Sequence, residues 1–117
     1  MDDTHVETIT RKIVPAVLRE GEDSDGNSIL IMDKIYANPG DTIHWELGNR
    51  EMSIWFPNSG VFFSPVLAVK HRGAIEATIP SGMIVSKPVV YEYCIFCHDT
   101  NEFVTGGSHP KIEIPKP

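Results

Sequence analysis

Long apolar runs, clustered basic residues and cysteines are all scarce in this sequence, and each scarcity excludes something. No apolar segment approaches the roughly 20 residues needed to cross a bilayer, so no transmembrane segment is expected. Lys and Arg total 10 against 16 Asp and Glu, a formal charge of −6. The basic residues are scattered, and the one small cluster, Lys70-His71-Arg72, reads as a solvated turn. A surface that tracks phosphates needs clustered Lys and Arg, so nucleic acid is not an expected partner. The only cysteines, Cys94 and Cys97, stand three residues apart and build no disulfide framework. The opening residues, Met1-Asp-Asp-Thr-His5, are polar and acidic and show no export signal. Two compartments stay open: the cytoplasm, or an exported location if a signal peptide has been removed.

Helical periodicity is missing too. Apolar spacing of about 3.6 never persists over the ten or so residues a helix would need. What is present is short alternation. Ile43, Trp45 and Leu47 fall on one side of a strand, with Thr42, His44 and Glu46 on the other, so His44 is expected to be exposed. Before it, Ala37-Asn-Pro-Gly-Asp41 suits a tight turn, with Pro39 presetting φ and Gly40 accepting a positive one. Further strands are expected around Val6–Thr10, over Ile29–Tyr36, Met52–Phe56, Val61–Phe63, Val66–Val69 and Ile75–Ile79, and at Ile112–Ile114. Pro15 demotes Ile13–Leu18 to an edge or irregular strand. Glu20–Ser28 reads as an acidic surface loop, because its spacing lacks the order of a calcium-binding loop. Roughly seven to eight short strands between Gly and Pro turns predict an all-β sandwich or barrel, a single domain over residues 1–117.

Chemistry concentrates in Tyr91-Glu-Tyr-Cys-Ile-Phe-Cys-His98, the end of the longest apolar run. Cys94, Cys97 and His98 spell the c-type haem motif, but the motif ends a β run rich in Tyr, Val, Ile and Phe, and that context argues against haem. On an extended strand Cys94 and Cys97 point to opposite faces, so both thiols meet one metal only if the strand ends before Cys97. A buried cysteine acting as a small hydrophobe is the plain alternative. A nucleophilic thiol needs a nearby cation and a base in reach. Adjacent His98 projects the other way, and no Gly-x-Ser-x-Gly elbow, phosphate loop or paired carboxylate arrangement occurs. Catalysis therefore has no positive support. Trp55, Phe56, Phe62, Phe63 and Phe103 have two readings: filling the space between the sheets, the plain one for most of them, or forming an aromatic surface at one end of the sandwich that takes a protein partner.

Pro39-Gly-Asp-Thr-Ile-His-Trp45, then Ile54-Trp-Phe56, then Tyr91-x-Tyr93-x-Ile95-x-Cys97 and the ending Lys111-Ile-Glu-Ile114 together resemble the cupredoxin, or blue-copper, family, most strongly over residues 29–117. The resemblance implies a Greek-key sandwich whose cysteine-ended strand precedes a ligand loop and a closing strand. It also implies copper held by two histidines and a cysteine, with a weak axial methionine. The first histidine's neighbourhood reads Glu51-Met52-Ser53-Ile54, and the loop from His98 to Pro110 holds no methionine. The chain is thus most similar to a subgroup lacking the full ligand set. That subgroup implies a small accessory or binding domain with a degenerate copper site. Its candidate metal ligands are Cys97, His98 and His109, and copper is an open cofactor. A copper electron carrier and a c-type haem carrier are the alternatives.

Overall fold

A computed structural model of the chain describes residues 12–57, 66–82, 86–104 and 110–115. Its described residues form eleven strands: β1 (Ile13–Glu22), β2 (Ser28–Met32), β3 (Ile35–Tyr36), β4 (Thr42–Glu46), β5 (Glu51–Trp55), β6 (Val66–Arg72), β7 (Ile75–Thr78), β8 (Val89–Glu92), β9 (Cys94–Cys97), β10 (Glu102–Phe103) and β11 (Lys111–Ile114). They make three sheets, ordered β2-β1-β4-β7, β10-β9-β5-β6 and β3-β11-β8. The architecture is all-β and sandwich-like, and among the described residues no helix is long and apolar enough to cross a membrane. The expected segments Val6–Thr10 and Val61–Phe63 lie outside the described residues.

Eleven strands replace the expected seven to eight because two long runs are each divided and β10 is added. The first division traces to Pro15. β1 pairs antiparallel with β2 from Leu18 onward and parallel with β4 over Ile13–Val17. Thr42 N–H donates to Lys12 C=O (3.0 Å), so the period of two assigns Val14 and Ala16 to the β4 ladder. Pro15 then faces the other side, opposite where Ile35 would fall if the β1/β2 register continued. It has no N–H to donate there. The chain leaves β1 after Met32, and β3 joins β11 in another sheet. Asp33 and Lys34 turn the corner, ion-paired to Arg19 (2.8 Å) and Glu113 (2.7 Å). The fork holds a groove of about 400 Å³ between residues 14–17 and 32–36.

The second division is at Tyr93. The apolar run that ends in the cysteine motif makes two strands and not one: β8 pairs with β11, whereas β9 pairs with β5 and β10. Tyr93, wholly buried, is the pivot. Its N–H donates to Pro110 C=O (3.0 Å), and its hydroxyl accepts from Trp45 Nε1–H (3.1 Å). The ring stacks on Phe56, centroids 4.8 Å apart, and meets Trp45 edge-on at 5.9 Å. Around this trio Ile43, Leu47, Met52, Ile54, Ile79, Ile95, Ile112 and Ile114 complete the largest buried side chains.

The Ala37–Asp41 turn forms as its residues dictate. Gly40 takes φ 90°, Asn38 N–H donates to Asp41 Oδ2 (2.9 Å), and Asp41 N–H to Asn38 C=O (3.0 Å). His44 departs from expectation, being half-buried with Nδ1 2.7 Å from Glu76 Oε2. Lys70-His71-Arg72 is the end of β6 and not a turn. Met52 lies opposite His71 but Ile54 opposite Ala68, so a bulge absorbs one extra residue. Lys70 sits there with φ 48°.

Candidate functional site

β9 fixes the direction of every candidate side chain near its end. Register sets Met52 opposite Cys97, Ser53 opposite Phe96, Ile54 opposite Ile95 and Trp55 opposite Cys94. Alternation then sends Ile95, Cys97, Met52 and Ile54 inward, and all four are wholly buried. Cys94, Phe96, His98, Ser53 and Trp55 form the other face, each half-buried. The two cysteines therefore stand on opposite sides of one strand, as alternation predicts.

Cys97 and His98 do not come together. Cys97 is in the core, whereas the His98 ring lies edge-on to Phe96, centroids 5.0 Å apart, with Nε2 2.8 Å from Ser53 Oγ. His98 N–H donates to Glu51 C=O (2.9 Å). The chain then folds back at once through Asn101, a residue that tolerates its left-handed φ of 57°, and β10 places Glu102 opposite Cys97. His109 lies outside the described residues. Among the described residues no three His, Cys, Asp or Glu side chains converge on a point where a metal ion would sit.

The electrostatics do not make Cys94 a nucleophile. Partial burial, and secondarily the charge of Glu92, push its thiol pKa up, whereas attack needs a thiolate. Burial also pushes the Tyr93 phenol well above its ordinary value, so it stays neutral and serves as the Trp45 acceptor.

The outer face carries an arrangement that reading the sequence did not assemble. Phe103 meets Trp55 edge-on at 6.1 Å and Phe96 at 4.9 Å, so three rings and His98 form one continuous row. Of the aromatics weighed between a surface and the core, Trp55 and Phe103 belong to the outer face. Phe56 packs in the core, as the plain reading has it, because its neighbour Trp55 faces outward, and Phe62 and Phe63 lie outside the described residues. Phe96, Ser53 and His98 were missed as members, although alternation along β5 and β9 puts them there.

Ser53 is the polar hinge of this face. The bulge leaves Lys70 N–H pointing at Ser53 Oγ (3.0 Å), which accepts it. The pattern that uses every group has Ser53 O–H donating to His98 Nε2, with the imidazole proton on Nδ1. A Ser–His pair of this kind lacks the third group that orients a general base, since no described residue bonds His98 Nδ1. Its evident task is to satisfy the bulge. Compared with known proteins, the chain matches no family model and no curated protein.

Proposed function

We propose that this chain is a small cupredoxin-like accessory or binding domain, a Greek-key sandwich whose copper position is degenerate. Support for the fold comes from the parallel β1/β4 pair, the crossing of the chain from β2 to β3 between sheets, and Tyr93-x-x-x-Cys97 followed by β11 as closing strand. The observation that carries the functional reading is the divergence of Cys97 and His98 onto opposite faces. A blue-copper centre needs two imidazoles and a thiolate in one plane. The described residues near Cys97 do not fit that set, since Met52 stands opposite it and Glu51 precedes Met52.

One observation favours a second reading, a carrier that holds copper(I). Met52 and Cys97 are directly opposed soft donors, of the kind that select copper(I). A c-type haem fits less well, because Cys94 and Cys97 can flank one porphyrin edge only if β9 unwinds.

Copper(II) added to reduced protein tests the proposal. The expected outcome is no intense blue thiolate band, and no stoichiometric metal in protein purified from its native host. A blue band with one bound copper would overturn the degenerate-site reading. Retention of copper(I) against a competing chelator, lost in Cys97→Ala, would establish the second reading instead.

A further inference from the structure

We propose that the polar face of the β4/β7 pair binds one zinc ion, ligated by His44 Nε2 and Glu46, with Glu76 orienting the imidazole. The site is separate from the Cys97 position and does not rest on how that position is read. His44 and Glu46 stand two residues apart on β4 and so share a face, while Glu76 on β7 is directly opposite His44. Trp45, between them, points the other way into the core.

Each ring nitrogen of His44 meets its own carboxylate. Nδ1 is 2.7 Å from Glu76 Oε2, the length of a charge-assisted hydrogen bond. With Nδ1–H donating to Glu76, the neutral imidazole carries its lone pair on Nε2. Nε2 is 3.4 Å from Glu46 Oε1, longer than the roughly 2.9 Å of an ordinary N–H···O bond. Two ligands of a tetrahedral zinc, each about 2.0–2.1 Å from the metal, stand about 3.3 Å apart. His44 and Glu46 therefore have the separation of two ligands. Glu76 holds the place of the carboxylate that fixes the tautomer of a zinc-bound histidine.

Charge points the same way. Among the described residues no Lys or Arg pairs with Glu46 or Glu76, whereas Glu20, Asp33, Asp99 and Glu113 are each matched to one. On β1 the neighbours of His44 and Glu46 are Pro15 and Val17, which bring no charge against a cation. The net charge of −6 attracts a dication at longer range. The imidazole selects zinc over calcium and magnesium, which take oxygen ligands. Two protein ligands completed by water hold the ion loosely, so it is lost when the protein is purified. The competing state of these three side chains is an imidazolium between two carboxylates, and it excludes the metal from Nε2.

The full chain is titrated with zinc chloride in a buffer that does not chelate, followed by calorimetry and by the nitrogen resonances of the imidazole rings. Calcium chloride forms a second arm. The expected result is one saturable zinc site that shifts Nε2 of a single ring, identified as His44 by the loss of that signal in His44→Gln, with no calcium binding. Affinity is expected to fall more than about tenfold in His44→Gln and Glu46→Gln. Glu76→Gln still accepts from Nδ1–H but carries no charge, and is expected to weaken zinc about tenfold. Near-UV circular dichroism from the buried Trp45 and Tyr93 confirms that the variants fold. No saturable response, calcium bound as tightly as zinc, a shift at Nδ1 or at another histidine, or variants that bind like the parent would each overturn the proposal. A blue copper band sinks the degenerate-site reading and leaves the zinc site standing, because β4 and β9 belong to different sheets. Failure to bind zinc sinks only the zinc site.

Discussion

Along β9, Ile95 and Cys97 are wholly buried while Cys94, Phe96 and His98 on the other face are only half-buried, and β5 repeats the division with Met52 and Ile54 against Ser53 and Trp55. Both faces carry large apolar side chains, so hydrophobicity alone does not tell them apart. They differ in what surrounds each side chain. The inner set is enclosed by the core built on Trp45, Phe56 and Tyr93, whereas the outer rings meet one another edge-on and stay half-buried or exposed. An enclosed residue is fixed by packing, and a half-open one is available to a partner.

Truncation separates the faces most sharply. Ile95→Ala leaves a cavity in a closed core and is expected to cost about 3 kcal/mol. Phe96→Ala removes a larger side chain but from a half-open site, and is expected to cost about 1 kcal/mol. Urea midpoints at unchanged m-value give both numbers. Equal costs would mean that the outer face is packed like the core.

The two thiols give a chemical version of the same contrast. Cys94 is half-exposed with its pKa pushed up by partial burial and Glu92, and Cys97 is wholly buried. In folded protein Cys94 is expected to react slowly with a disulfide reagent at neutral pH, and faster as alkali ionises it. Cys97 should react only at the rate of unfolding. Reaction of both thiols at one rate would show that β9 opens locally, contrary to its place in the core.

Strand faces were largely legible in the sequence, because the period of two is local and needs no knowledge of neighbours. Ile43, Trp45 and Leu47 are all wholly buried, and Cys94 and Cys97 diverge as alternation requires. Strand partners were not legible. The bend at Tyr93 and the fork after Met32 arise from which strand lies alongside, and only Pro15 hinted at the second. Lys70-His71-Arg72 read as a turn because three polar residues in a row resemble one, while a bulged edge strand exposes them equally well. The aromatic row was hidden for a related reason. Its members come from β5, β9 and β10, so no single stretch of sequence displays it.

Titration extends the contrast between enclosed and solvated groups to pH. Burial raises the folded pKa of Tyr93 above its ordinary 10.0, so the unfolded chain loses this proton first. The stability it confers is complete below pH 10.0 and declines as pH rises beyond it, by an amount read from urea midpoints in alkali. Asp23 is the solvated counterpart, with the opposite sign and a smaller effect. Its Oδ1 accepts N–H from Asp25 and Asn27, each at 2.9 Å, and the Asn27 bond foremost holds its pKa below the ordinary 3.8. Its contribution is therefore present above pH 3.8 and lost as pH falls through the lower folded value. Asp23→Asn keeps an oxygen acceptor for the turn but nothing to protonate, so the stability gap between parent and variant should narrow in acid. A gap that stays constant down to about pH 2 would assign the acid response to Asp33, held low in the same way by Arg19.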